Sequence, residues 1–215
     1  MIARPRPARP APREEGQEPE KRRLILHAAV RVFAERGYQG CRIADVAQSA
    51  GVAYGLVYHY FRNKDELLES VFDEQWAIFI RALEAIDAGP GTATDKLAGL
   101  FGFVFDVYKT APAAVRVLML EVTHTPRGLR AGSTRETFDR AIRLVAAVVR
   151  RGQERGELRR QADPVVAATS LLGAMELTLS GMVMGLVPAG SEEEIDRARE
   201  HLVAVTIEGL RAPPR

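Results

Sequence analysis

Residues 41–61, CRIADVAQSAGVAYGLVYHYF, decide the fold of this chain. They read as two short helices joined by a tight turn at Gly51. The first, Arg42–Ala50, places Ile43, Val46, Ala47 and Ala50 on one face, at spacings of three, four and seven. Gly51 ends it, because glycine takes the left-handed conformation of a helix C-cap without Cβ strain. Val52 is expected to turn back into the core. A second short helix starts near Ala53 or Tyr54 and sends Val57 and Phe61 inward, leaving Gly55, Tyr58 and His59 outside. A helix, a glycine turn and a second helix form the arrangement of a helix-turn-helix DNA reader. A bland helical hairpin with core aromatics has the same outline, so the flanking sequence matters.

Upstream, Leu24–Arg36 carries Ile25, Ala28, Ala29, Val32 and Phe33 on one stripe, and Gly37 stops the helix before Tyr38. Downstream, Asn63-Lys64-Asp65-Glu66 reads as an N-cap with an acidic residue at the third helical position. Leu67, Leu68, Val71 and Phe72 then open a long amphipathic helix. A short helix of this kind fits the major groove, with its first residues at base edges and the preceding helix across the backbone. Tyr58 and His59 are placed to hydrogen-bond phosphate oxygens, and Lys64 adds a charge one turn later.

The run LILHAAVRVFAERGYQGCRIADVAQSAGVAYGLVYHYFRNKDELLESVF closely resembles the DNA-binding region of TetR-family transcriptional regulators. Three features agree in order and spacing: AA-x₃-F-x₃-GY, D-V-A-x₃-GV and YHYF-x-x-K-x₂-L. The resemblance implies that Ala53, Tyr54, Gly55 and Leu56 face bases. It implies that Tyr58, His59 and Lys64 hold phosphates, with Arg42 helping at the start of the preceding helix. Cys41, Ala53, Tyr54 and Leu56 depart from the usual family pattern, in which serine or threonine, serine, a basic residue and threonine are common. Ala53 removes an N-cap side chain worth about 1 kcal/mol. The reading surface is less polar as a result, and suits thymine methyls more than bidentate guanine contacts.

Charge is distributed in keeping with this. Residues 1–65 hold 12 Lys/Arg against 7 Asp/Glu, whereas the remainder holds 18 against 21, so the basic excess falls on the reading region. Residues 1–18 form an Arg/Pro-rich arm, expected to be disordered: four prolines at 5, 7, 10 and 12 prevent a helix and little is apolar. Its arginines could reach phosphates or the minor groove, but a solvated tail without a role is the reading taken. No apolar stretch follows them as in a secretion signal. The single Cys41 excludes an intrachain disulfide, and a reducing cytoplasm is the natural setting. Beside Arg42 at a helix start it has the surroundings of a reactive thiolate, although a small buried filler of the cap position is the simpler role.

Beyond residue 63 every periodic segment is helical. The breaks fall at Asp87–Gly91, Ala111-Pro112, Pro126–Gly128, Gly156, Asp163-Pro164 and Ser191. Helices are expected over Lys64–Ile86, Thr94–Thr110, Pro112–His124, a long segment to Arg155, Pro164–Val187 and Glu192–Leu210. The fold is expected to be all-α with about nine helices: a helix-turn-helix domain over 19–63 and a ligand-binding and dimerisation domain over 64–215. The segment 164–187, PVVAATSLLGAMELTLSGMVMGLV, is long enough to span a bilayer. It lacks basic or aromatic flanks and carries Glu176 among hydroxyl side chains, so a core and subunit-contact helix is the better reading and no membrane is expected.

The family resemblance implies a four-helix dimer interface built from the last two helices. Leu172, Gly173, Gly181, Gly185, Leu202 and Val205 are the candidates for it, the glycines allowing close approach of a partner helix. For an apolar effector the candidate lining is Phe101, Phe103, Phe105, Tyr108, Leu118, Met119, Met175, Leu179 and Met182. Arg116, Glu121, His124 and Glu176 are candidates for a polar head group. The order G-E-L, D-P-V and then a long apolar helix looks like the fatty-acid-metabolism branch of the family, which implies an acyl-CoA effector.

Function follows as a homodimeric, ligand-released repressor on a palindromic duplex operator. The alternatives are a ligand-dependent activator, a co-repressed regulator and a helical interaction protein that binds no DNA. Catalysis is not expected: His27, His59, His124 and His201 lack metal spacing, and no phosphate loop or nucleophile motif occurs. No cofactor is expected.

Overall fold

The computed structural model describes residues 17–119 and 132–211. Among them are nine α-helices: α1 Gln17–Gly40, α2 Ile43–Ala50, α3 Tyr54–Tyr60, α4 Lys64–Ala88, α5 Ala93–Thr110, α6 Pro112–Val117, α7 Gly132–Glu154, α8 Pro164–Val183 and α9 Glu192–Thr206. A 3₁₀ turn, Glu208–Leu210, follows α9. The arm over residues 1–16, Glu121, His124 and the Pro126–Gly128 break lie outside the described residues, as does the end of the expected Pro112–His124 helix.

Local chemistry explains most boundaries. Gly37, at φ 70° and ψ 161°, breaks the helical path of α1 before Tyr38, where the sequence places its stop. Gly51 (φ 66°, ψ 31°) closes α2. Asn63 caps α4 by accepting from the Glu66 amide at 2.8 Å, and Glu66 accepts from the Arg62 amide at 2.7 Å. Thr92 and Asp95 close the equivalent box on α5. Asp163 accepts from the amides of Val165 and Val166, each at 2.9 Å, with Pro164 in the first turn of α8.

Two expected helices end early. α8 stops at Val183 rather than Val187 because Gly185 takes φ 73°, and the Leu186 amide folds back onto the Gly181 carbonyl at 2.8 Å. α9 gives way to the 3₁₀ turn after Thr206 instead of running to Leu210.

Two buried clusters organise the chain. The first joins Ile25, Leu26, Ala29 and Phe33 of α1 to Val46 and Ala47 of α2, Val57 and Phe61 around α3, and Leu67, Leu68, Val71 and Phe72 of α4. Val117 of α6 is part of it. The second gathers α5, α7 and α8 with the inner faces of α4 and α9, around Leu100, Phe101, Phe105, Val145, Val149, Ala168 and Leu171. α4, about 37 Å long, thus belongs to both.

Its two ends are tied down differently. At the start, Tyr38 donates its hydroxyl to Asp65, and Lys64 bonds the Tyr38 and Cys41 carbonyls. At the far end Asp87 meets Arg151, and Glu84 meets Arg140 at 2.6 Å. α8 alone among the described helices is long and apolar enough to cross a membrane, yet Ala167, Ala168, Leu171, Met175 and Leu179 are buried against the second cluster.

Candidate nucleic-acid interface and ligand cavity

α2 and α3 are held as one rigid reading unit by Ile43, Val46, Ala47 and Val57, all buried. Ion pairs fix α2 against α1: Arg36 meets Asp45 at 2.7 Å, and Arg31 donates to the Ser49 carbonyl and hydroxyl. Asp45 also accepts the Arg42 amide at 2.7 Å. That hydrogen bond, with help from Arg36, holds the Asp45 carboxyl below its ordinary value. Arg42 is therefore the N-cap of α2 rather than its first residue, and its side chain stays exposed.

α3 begins at Ala53, whose methyl supplies no cap, and its Leu56 amide bonds the Ala53 carbonyl at 2.9 Å. Ala53, Tyr54, Gly55, Tyr58 and His59 are exposed, whereas Leu56 and Val52 are half-buried, Val52 against the first cluster. Tyr54 and Tyr58 lie edge to face, with ring centroids 5.1 Å apart and hydroxyl oxygens at 3.2 Å. The pairing pushes the Tyr58 phenol above its ordinary value. His59 lies edge-on to Tyr60, with ring centroids 5.1 Å apart.

Lys64 differs from the sequence expectation of a charge turned to phosphate. Its ammonium donates to the Tyr38 carbonyl at 2.6 Å and the Cys41 carbonyl at 3.0 Å, and lies 4.3 Å from the Tyr38 ring centre. It couples the start of α4 to the end of α1 and the entry to α2. Cys41 is buried, and its thiol donates to the Tyr38 carbonyl at 3.4 Å, which suits the filler role.

A cavity of about 140 Å³ lies between α4, α5, α6, α7 and α8. Of the expected lining residues, Phe103, Leu118, Met119, Met175, Glu176 and Leu179 are in its wall. Phe101, Phe105 and Met182 are not: they pack inside the second cluster, and Tyr108 packs partly buried against it. α5 turns its 103/104/107 face, not its 101/105/108 face, toward the cavity. Arg116 is exposed on α6 and lines nothing there.

Sequence reasoning missed the wall that α4 supplies, Phe72, Gln75, Trp76, Ile78 and Phe79, and Phe138 of α7. Its signal was present in the spacing of Phe72, Trp76 and Phe79 by four and three. Trp76 is the centre of this wall, with ring centroids 5.7 Å from Phe72, 5.3 Å from Phe79 and 4.6 Å from Phe138.

The subunit-contact candidates divide. Val205 is 78% exposed on α9, and Gly173 is exposed on α8 with open space beside it. Leu202 is half-buried and borders a groove between α8 and α9. Leu172 instead lines the cavity. Gly181 is buried, where a Cβ would meet a Val187 methyl at 2.8 Å, so its small size serves this chain's own turn. Gly185 is past the helix end and terminates α8. Large apolar groups that the sequence reading left out, Val166, Leu177, Met184 and Leu186, are exposed on or just beyond α8.

Comparison with known proteins agrees with this layout. Residues 25–71 match the family described as bacterial regulatory proteins, tetR family, and residues 94–205 match a tetracyclin repressor-like C-terminal domain. The fatty acid metabolism regulator protein of Bacillus subtilis is 30% identical over 168 residues, covering 78% of this chain and 86% of that protein. The transcriptional repressor KstR2 of Mycobacterium tuberculosis is 28% identical over 152 residues, covering 69% and 74%. The crystal structure of the B. subtilis regulator FadR in complex with stearoyl-CoA superimposes with a TM-score of 0.76 at 26% identity, covering 88% of this chain and 99% of that one. The chain therefore belongs to the TetR family of bacterial regulatory proteins, and is a DNA-binding transcriptional repressor rather than an enzyme.

Proposed function

We propose that this repressor is released from its operator by a long-chain acyl-CoA whose acyl chain enters the cavity beneath Trp76. The observation that carries the reading is an apolar wall shared by five helices, interrupted among its lining residues only by Gln75 and Glu176. The likeness to a regulator crystallised with stearoyl-CoA supports the ligand class.

The coupling route follows from the packing. Phe72, Trp76 and Phe79 line the cavity, while Leu67, Leu68 and Val71 on the same helix pack in the reading-domain cluster. On α6, Val117 lies in that cluster and the next two residues, Leu118 and Met119, line the cavity. Sites for drug-sized ligands occupy about 300–1,000 Å³, so a long acyl chain has to widen this cavity, and widening displaces α4 or α6.

The displacement is read out through a homodimer. Leu177 and Val166 on α8 and Val205 on α9 supply an exposed apolar face for a second copy. Two heads then meet half-sites about 34 Å apart on a palindromic operator in the cytoplasm, and rotation of either head breaks the register. Ala53, Tyr54, Gly55 and Leu56 face the bases in this arrangement, and Tyr58, His59 and Arg42 face phosphates. The reading domain comprises α1–α3, and α4 onward forms the ligand and dimer domain.

Trp76 is the only tryptophan of the chain, so its emission reports the cavity directly. Titration with acyl-CoAs of increasing chain length is expected to change Trp76 emission saturably for long chains, with free CoA inert. An emission unchanged by every chain length would remove acyl-CoA from the reading.

A further inference from the structure

α3 reads YGLVYHY and carries no lysine or arginine. The cations around it are largely engaged. Arg31 binds Ser49, Arg36 binds Asp45, Arg62 binds Glu66 at 3.1 Å, and Lys64 binds two carbonyls. Apart from the Arg42 side chain, phosphate contact at this edge therefore falls to neutral donors, and the exposed pair Tyr54 and Tyr58 stands one helical turn apart. Their rings brace each other edge to face, and their hydroxyls are at hydrogen-bond distance.

We propose that Tyr54 is a positioning residue: its hydroxyl donates to the Tyr58 oxygen and thereby aims the Tyr58 O–H at a backbone phosphate. The inference rests on the reading of Tyr58 as a phosphate contact. A phosphodiester oxygen has no proton to give, so Tyr58 must be the donor to it. That leaves the Tyr58 lone pairs to accept, and the Tyr54 hydroxyl, 3.2 Å away, is placed to supply the proton. Two hydrogen bonds in series polarise one another, which strengthens the outer one. A Tyr54 hydroxyl so engaged does not read a base edge. Base discrimination by α3 is then left to Ala53, Gly55 and the Tyr54 ring, all suited to methyl and close backbone contact.

The test uses the full-length protein and a duplex it selects from a randomised pool. Affinities of Tyr54→Phe, Tyr58→Phe and the double variant are measured at fixed salt, with thermal unfolding alongside. Each single variant is expected to weaken binding by about 3- to 10-fold, the scale of one hydrogen bond, with unfolding unchanged. The double variant is expected to be no weaker than Tyr58→Phe, and base-substituted duplexes are expected to lose affinity by the same factor. A single methylphosphonate at the contacted phosphate erases both effects.

Full affinity in Tyr54→Phe while Tyr58→Phe is weakened would overturn the positioning role and leave the phosphate contact standing. Multiplicative losses in the double variant would overturn it too, since each hydroxyl would then act alone. So would a changed base preference in Tyr54→Phe, which would make Tyr54 a base reader. Full affinity in Tyr58→Phe would remove the phosphate contact itself.

Discussion

Replacing Lys64 by methionine separates two roles that the same residue could play. The substitution keeps the apolar stem and removes the ammonium, which donates at 2.6 Å and 3.0 Å and lies over the Tyr38 ring. Hydrogen bonds from a charged group contribute about 1.5–3 kcal/mol each when desolvated, and this site is only half-buried. Water can reach the released carbonyls, so the two bonds together come to about 2 kcal/mol. The ring contact adds about 0.5 kcal/mol. A loss near 2.5 kcal/mol corresponds to a fall in Tm of about 5–10 °C for a chain of this length. Differential scanning calorimetry measures it, and anisotropy on an operator duplex at several salt concentrations gives the slope of log K against log salt. The structural role predicts the Tm fall with a slope equal to that of the parent. A phosphate role predicts an unchanged Tm and a slope smaller in magnitude by about 0.9. The second outcome would refute the reasoning and return Lys64 to the DNA surface.

Three further perturbations follow from the packing and the charges. Gly152→Ala would drive a Cβ to 2.5 Å from the Ala93 Cβ and 2.8 Å from a Leu158 methyl, where α7 crosses the start of α5. Overpacking of this kind costs about 1–3 kcal/mol, visible as a lower urea midpoint; an unchanged midpoint would mean the crossing is looser than it looks. Leu177→Glu places a charge on a residue that is 73% exposed in one chain, so the monomer fold should persist while sedimentation shows loss of the dimer and operator affinity falls; an intact dimer would exclude this face from the interface. Several exposed carboxyls are held below their ordinary values: Asp45 by the Arg42 amide, Asp95 by Thr92 and Asp196 by Lys109. Groups with depressed folded values stabilise fully above their unfolded values and lose that contribution as pH falls through the folded ones. Stability should therefore decline on acidification below about pH 4, and Asp196→Asn should flatten that decline; an equally steep acid limb in the variant would discount the Lys109 contact.

Much of the reading domain was legible because its signals are local. Gly51, the Ile43/Val46/Ala47 stripe and the Asn63 cap act within one or two turns, and the observed helix ends fall within a residue of those expected. The ligand cavity was less legible because a helix such as α5 is apolar on more than one side. Phe101 and Phe105 differ from Phe103 and Val107 only in which neighbour they meet, and periodicity does not name the neighbour. Trp76 stood on a stripe that already had an explanation as core. Gly181 and Gly185 were assigned to a partner helix, whereas a turn four residues later in the same chain accounts for both. Lys64 sat in a motif position whose chemistry admits a carbonyl as readily as a phosphate, and only the folded return of Tyr38 decides between them.

The central claim is that filling the cavity releases DNA. The direct measurement is fluorescence anisotropy of the full-length protein on its upstream intergenic duplex, with and without stearoyl-CoA at fixed salt, with Trp76 emission followed in parallel. The account predicts at least about a tenfold loss of operator affinity when the cavity fills, and, by linkage, an equal loss of stearoyl-CoA affinity when operator is bound. Saturable Trp76 quenching with operator affinity unchanged or increased would contradict it.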